Sequence, residues 1–554
     1  MPTDLVLLSG RVFTGTELHP TATAVALSDG VIVAIGSDDE AQAAVSPDAE
    51  RVDVAGGLIT PGFIDSHVHA VQGGHERLTC DLTDSTDAAS TLEMVAAYAA
   101  EHPDDEWIIG GGWHMPFFEG GNPRAELLEE AVPGRKIYLV NADHHGAWVS
   151  PAALAAAGIT KDTPNPADGH IDRDEEGNPW GTLQEGAMDL LEHLLPVPDD
   201  AAYVAALEET QRYLRSFGVT GWQDAIVGAY AGMRDTSDAY IEAIESGRLT
   251  AHATGALWLT RGFGLDDVDD VVADMVGRRD RIGTRSNTAG GTFRTPTIKI
   301  MQDGVPESQT AAMKKPYLDA CGHPTSHLGP SHFPPAVLDA TTRRLAGEGF
   351  QLHIHAIGDR AIAEALHAIQ GANEVADIAD TRHHIAHLQQ VDPADIALMA
   401  EIGATANLQA LWACSSDQMT ELNLPIVGED RFNAQYPFAS MAAAGVPLAM
   451  GSDWPVSTPD PWQAIHVAVT RIEPGDTTSA PLGSGEELTL TQAIAAYTSG
   501  SARVTHHDGR GVIEIGAPAD IAVTDRDPFA VPPLELHTVT NVLTVSDGVV
   551  VYRA

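Results

Sequence analysis

The sequence predicts an α/β protein built on a (β/α)8 TIM barrel, interrupted by one large insertion and flanked by β-rich ends. Three observations carry this reading. Eight apolar, strand-length runs lie at about 61–69, 217–224, 251–258, 297–302, 350–355, 382–388, 402–408 and 446–453, each followed by an Ala-rich segment of helical pattern. Strands alternating with helices indicate parallel βαβ units, and eight such units indicate a closed barrel. The stretch between the first two runs is far too long for an ordinary loop and must form a substructure of its own. The two ends, residues 4–54 and 511–554, instead carry short strands around Ser28-Asp29-Gly30 and Ser546-Asp547-Gly548 turn signals.

Taken in order, the strands end in residues with metal-ligand chemistry. The first, Pro61-Gly62-Phe63-Ile64-Asp65-Ser66-His67-Val68-His69, closes on two histidines at i and i+2. On a strand that spacing projects both imidazoles to one side, within reach of a single ion, although satisfied structural histidines read the same way. Asp65 shares their face and is a candidate for orienting an imidazole or for a purely structural role.

The fourth run, Thr297-Ile298-Lys299-Ile300-Met301, places a lysine on a strand in a chain with only five lysines. Burying an ammonium is costly, so such a lysine is paired, snorkelling or neutral. Pairing with Asp303 is one outcome. A neutral amine can instead take up CO2 and become an anionic, metal-bridging carbamate. The fifth and sixth runs, Phe350–His355 and Arg382–His387, end in histidine, and the eighth ends in Asp453. His353 and His355 face the same way, so periodicity does not choose between them. In a barrel the C-terminal strand ends converge on the active site, which brings His67, His69, Lys299, His355, His387 and Asp453 to one mouth.

These blocks resemble the amidohydrolase superfamily, in the branch called amidohydrolase family 3 or the YtcJ-like group, which includes N-substituted formamide deformylases. The resemblance runs from Gly57–His69 through Ile298–Gly304 and His355-Ala356-Ile357-Gly358-Asp359-Arg360-Ala361 to Gly451-Ser452-Asp453-Trp454-Pro455. It implies that His67 and His69 bind the more buried metal, that a carbamate on Lys299 bridges two metals, and that His355 and His387 bind the second. It implies that Asp453 is both ligand and catalytic proton shuttle in cleavage of a C–N bond (amide, formamide or cyclic amide) by metal-activated hydroxide. Two zinc ions are the first expectation, with manganese, iron or cobalt as alternatives and a one-metal site kept open.

Two departures stand out. Related sequences usually read Arg-His-Arg-Ile-Glu-His where this chain has Arg382-His383-His384-Ile385-Ala386-His387, and Asp-Gly-His where it has Asp143-His144-His145. The insertion blocks around Trp113, His145 and Glu185 resemble substrate-pocket segments of the branch. These residues and Asp303 are the expected substrate contacts. Against this stand Trp113 as lid core, His145 as a helix cap or internal hydrogen bond, and Glu185 as a solvated residue. The resemblance further implies that the two chain ends pair into one β-sandwich. The expected domains are then 1–58 plus 507–554 for the sandwich, 59–75 plus 212–506 for the barrel, and 76–211 for the insertion.

Composition bounds the rest. The chain has 554 residues, 44% of them hydrophobic, enough for a large core and more than one domain. A net charge of −47, from 31 basic and 78 acidic residues, disfavours nucleic-acid and anionic-membrane partners. Its three cysteines, Cys80, Cys321 and Cys414, lack metal-knuckle or disulfide spacing. A cytoplasmic enzyme acting on a small molecule, and forming a homodimer, is the expectation; no membrane-spanning run is present. The competing readings are a mononuclear deaminase, an ester or lactone hydrolase of the same superfamily, and a catalytically silent relative. Mononuclear deaminases usually lack the strand-four lysine, so Lys299 weighs against the first.

Overall fold

The computed structural model describes residues 4–142, 144–166, 169–230, 233–377 and 381–554. Eight parallel strands form the barrel sheet: β1 Phe63–Val68, β2 Val219–Val227, β3 His252–Trp258, β4 Thr292–Met301, β5 Gln351–Ala356, β6 His384–His387, β7 Thr405–Leu408 and β8 Leu448–Met450. They pair in chain order from β1 to β8. All eight predicted strands are present, with shifted ends. The first begins two residues later than expected because Leu58–Pro61 is a separate strand of another sheet. The last stops at Met450 because Asp453 leaves the extended region, with φ 58°.

The ring closes between β8 and β1 through residues just past the strand end. The Asp453 amide donates to the His67 carbonyl at 2.8 Å, and the His69 amide to the Trp454 carbonyl at 2.8 Å. Gly451 makes this approach feasible, since a Cβ there would lie 2.4 Å from the His67 nitrogen. Helices on the outside of the barrel bury their apolar stripes in one continuous core. Helix Asp200–Ser216, which leads into β2, packs on helix Ala70–Arg77 and buries Tyr203, Val204, Leu207 and Leu214 there.

The insertion carries a six-stranded sheet that spans Cys80–Glu185 and has its own apolar clusters. Residues from both ends of the chain form two further sheets. One contains Leu5–Leu8, Ala24–Ser28, Val31–Gly36 and Glu50–Asp53. The other runs in the order Arg11–Val12, Leu58–Pro61, Ile521–Thr524, Asn541–Ser546, Val549–Arg553. Leu5, Leu7, Val25, Leu27, Ile59, Ile521, Val523 and Leu543 share one buried cluster between them, so the two ends contribute to a common core. Among the described residues no helix is long and apolar enough to cross a membrane.

Candidate active site

The barrel interior is polar and layered. Near the bottom, Gln351 accepts from Thr297 (2.6 Å) and Gln223 (3.2 Å). Above it lie His353, His384 and Asn407, all fully buried. At the mouth, five strands bring His67, His69, Lys299, His355, His387 and Asp453 together. Alternation explains the layering, because residues two apart on a strand point to the same side.

The mouth is crowded with donor atoms. Oδ1 of Asp453 lies 3.0 Å from Nε2 of His69 and 3.3 Å from Nε2 of His67. Nζ of Lys299 lies 3.2 Å from that same His67 nitrogen. Ligand atoms of His67, His387 and Asp453 all fall within 4.8 Å of one another. The His355 ring packs at 4.4 Å from His387, and His387 stacks on Trp412 at 5.3 Å. Both Asp453 (φ 58°) and His387 (φ 78°) adopt left-handed backbone conformations, a strain of order 1–3 kcal/mol each that tends to be kept at functional sites.

Electrostatics prepare the imidazoles as neutral ligands. Burial pushes His67 down to about 3, aided by Lys299, and holds His355 and His387 well below the ordinary imidazole range. Burial opposes ionisation of Asp453, but the facing His67 and His69 outweigh it and hold the carboxyl well below its usual range. Burial pulls the Lys299 amine down to about 8, against the attraction of Asp453 and Asp224.

A divalent cation fits this set. Nδ1 of His387 is buried with no hydrogen-bond partner among the described residues, and Oδ1 of Asp453 faces the ring nitrogens of both His67 and His69. Lone pairs of neutral imidazoles and a carboxylate held this close repel each other unless a cation lies among them, and nitrogen and oxygen donors suit zinc and its neighbours.

The expected substrate contacts separate into two groups. His145 Nδ1 and Glu185 Oε1 pair at 2.9 Å, each side chain about one-third exposed or less. Burial of Glu185 is outweighed by His145, Ser308 and Arg261, which keep its pKa low. Trp113 is different. It is fully buried, donates from Nε1 to the Leu139 carbonyl at 2.8 Å, and packs against Phe118 and Trp148 in the insertion's own core. These surroundings are those of the lid-core reading.

Asp303 is also enclosed. Its carboxylate accepts from the amides of Ala312 (2.9 Å), Ile357 (3.1 Å) and Gly358 (2.8 Å) and is fully buried. It therefore braces the loops after β4 and β5, with Oδ1 3.6 Å from Nε2 of His355. Lys299 instead meets Nε2 of His67. Asp143 lies outside the described residues. His144 has φ 64°, a conformation that favours glycine, and its Nε2 meets Glu76 at 2.8 Å.

Two elements escaped sequence reasoning. His353 Nε2 lies 2.9 Å from Nδ1 of His67, and the signal was its shared face with His355. Asp224, within β2 and in register with Val68, accepts from Tyr240 at 2.6 Å and lines a small cavity with His69, Gln72 and Tyr230. Burial pushes its carboxyl up to about 6.

Comparison with known proteins agrees with this architecture. The putative amidohydrolase YtcJ of Bacillus subtilis (strain 168) is 30% identical over 549 residues, covering 98% of both chains. The N-substituted formamide deformylase of Arthrobacter pascens is 28% identical, covering 99% of this chain and 98% of that protein. An uncharacterized metal-dependent hydrolase from Pyrococcus horikoshii OT3 superposes with a TM-score of 0.72 at 22% identity, covering 96% of this chain and 99% of the other. The model of the amidohydrolase family matches residues 50–552, nearly the whole polypeptide. By sequence along its length and by the fold that holds the site, this chain belongs to the amidohydrolase family.

Proposed function

We propose that this protein is a metal-dependent hydrolase that cleaves the C–N bond of a small amide, formamide or cyclic amide. The observation that carries the reading is the crowding of buried imidazole nitrogens and the Asp453 carboxylate at one mouth, where ligand atoms of His67, His387 and Asp453 lie within 4.8 Å of one another. His67, His69 and Asp453 would hold one divalent ion and His355 and His387 a second, with Lys299, as a carbamate, supplying a further anionic ligand. The lowered basicity of the Lys299 amine supports this, because CO2 reacts with the free base. Bound zinc, or manganese, iron or cobalt, supplies Lewis acidity toward both water and the scissile carbonyl.

The remaining work falls to the chain's own groups. Asp453 accepts the proton of the attacking water and returns it to the leaving nitrogen, which must be protonated to depart. His145 and Glu185 contact the substrate from the insertion, while Trp113 and Asp303 hold the frame that carries them. The full-length similarity to a formamide deformylase makes N-formyl amines the first substrates to try.

The test is elemental analysis of protein purified without chelators, together with hydrolysis of a panel of N-formyl and N-acyl amines. About two metals per chain with amine release is the expected result. About one metal, with ammonia or ester cleavage instead, would give the mononuclear deaminase or ester and lactone hydrolase readings. No metal and no rescue by zinc or manganese would make the chain a silent relative.

A further inference from the structure

Each imidazole has two nitrogens, and at His67 they face different surroundings. Nε2 points to the mouth, beside Asp453 and Lys299, while Nδ1 points down into the barrel, 2.9 Å from Nε2 of His353. A neutral imidazole that offers a lone pair at Nε2 must carry its proton on Nδ1. Among the described residues that proton meets Nε2 of His353. We propose that His353 is a positioning residue that fixes the tautomer and ring orientation of His67, and thereby sets how tightly the mouth holds its divalent cation. This rests on the reading of His67 as a ligand.

The surroundings of His353 fit an acceptor role. The residue is fully buried at the centre of β5, in register with Lys299 on one side and His384 on the other. A ring with two nitrogens can offer one of them as an acceptor while the other carries the proton. If Nε2 accepts from His67, the proton of His353 sits on Nδ1, and that atom has no hydrogen-bond partner among the described residues. A buried donor left unsatisfied is a cost that folding alone does not explain.

The next ring down is arranged consistently. Nδ2 of Asn407 lies 3.1 Å from Nδ1 of His384 and donates to the Ser66 carbonyl at 3.0 Å, while its Oδ1 accepts from the Ser66 hydroxyl at 2.9 Å. His384 therefore accepts at Nδ1 and carries its proton on Nε2, which is also partnerless among the described residues. The His353 and His384 rings lie 4.1 Å apart, tilted by 40°. With its proton directed away from Asn407, His384 fills the space beside His353 without competing for the nitrogen that serves His67.

The experiment compares zinc affinity, by chelator competition, in the unsubstituted protein, His353→Phe, which fills the space without accepting, and His353→Gln, whose amide oxygen can accept. The thermal midpoint of each metal-free form is measured alongside. The expected result is a 10–100-fold weaker zinc affinity for His353→Phe, the usual span for losing a group that orients a metal ligand. Its metal-free midpoint should be no lower than that of the unsubstituted protein, and His353→Gln should recover most of the affinity. Should the Phe variant fail to fold, His353→Met makes the same comparison. Affinity within about twofold of the unsubstituted protein in the Phe or Met variant would overturn the inference, as would equal weakening in Phe and Gln, which marks simple packing. If the unsubstituted protein binds no zinc, the reading of the whole site fails with it. Tight binding in all forms removes only His353 from its role.

Discussion

The Ser452 hydroxyl donates to Asp65 at 2.6 Å, a contact that ties the segment after the last barrel strand to the first strand. Asp65 also accepts the amides of Ser452 (3.0 Å) and His67 (3.1 Å), yet burial still pushes its carboxyl up to about 7. Because the folded pKa lies above the unfolded one, the proton taken up on folding favours the folded state at low pH, and that contribution is lost as pH rises through about 7. For metal-free Ser452→Ala we expect a loss of about 1–2 kcal/mol at pH 8, where the hydroxyl supports the carboxylate, and a smaller loss at pH 5. Thermal unfolding at the two pH values checks the difference; equal losses would contradict it.

On the proposed two-metal reading, Lys299→Ala should lose at least one metal per chain and nearly all turnover, because the strand would then lack the proposed bridging group. Elemental analysis alongside a rate assay checks this. Full occupancy with normal turnover would remove the carbamate from the site.

Asp453→Asn keeps the shape of the side chain but cannot carry a proton. We expect kcat to fall roughly 10²- to 10⁴-fold, the span typical of general acid–base groups, in protein that still holds some metal. Unchanged kcat at matched metal content would assign the proton elsewhere.

The insertion offers a paired comparison. Trp113→Ala should destabilise by about 3–5 kcal/mol, as for a truncated buried aromatic, and alter kinetics only through loss of folded protein. His145→Ala should leave stability nearly unchanged and lower kcat/KM by roughly tenfold, mainly through KM, the pattern of a lost binding contact. Calorimetry with Michaelis curves separates the two; the reverse pattern would exchange their roles.

At the bottom of the barrel, Asp547 meets His252 at 3.0 Å and Arg510 at 2.8 Å, and Arg510 also pairs with Asp520. Burial raises the Asp547 carboxyl, but His252 and Arg510 outweigh it and bring it down to about 2. A depressed carboxyl contributes stability above its unfolded pKa and loses it as pH falls toward the folded value. Asp547→Asn should therefore cost about 1–2 kcal/mol at pH 6, after allowance for its partial exposure, and the gap should close toward pH 2. Denaturant melts across that range test it; a gap independent of pH would mean lost packing.

Much of this site can be read from sequence because it is built on strands. Once a run such as Gln351–Ala356 is recognised, period two assigns His353 and His355 to the interior, and barrel topology places the later one nearer the mouth. What sequence leaves open is distance between residues remote in the chain. Nothing local in Asp65 or Ser452 announces their contact, and Asp303 gives no sign that three backbone amides from two loops occupy it. Trp113 shows a different difficulty: an aromatic beside glycines looks the same whether its ring faces a ligand or packs on Phe118 and Trp148. His144 is a partial exception, because a glycine expected at that position anticipates the positive φ found there.

The sheet order at the chain ends has a consequence for biosynthesis. Leu58–Pro61 lies between Arg11–Val12 and Ile521–Thr524, so during translation one of its edges waits for a partner made only after every barrel strand. At about 5–20 residues per second, that wait lasts roughly half a minute to a minute and a half. Throughout it the nascent chain presents an apolar strand with unpaired amides and carbonyls, the kind of edge that recruits foreign strands. A ribosome that stalls shortly before residue 521 would release a polypeptide with every barrel strand made and that edge still open.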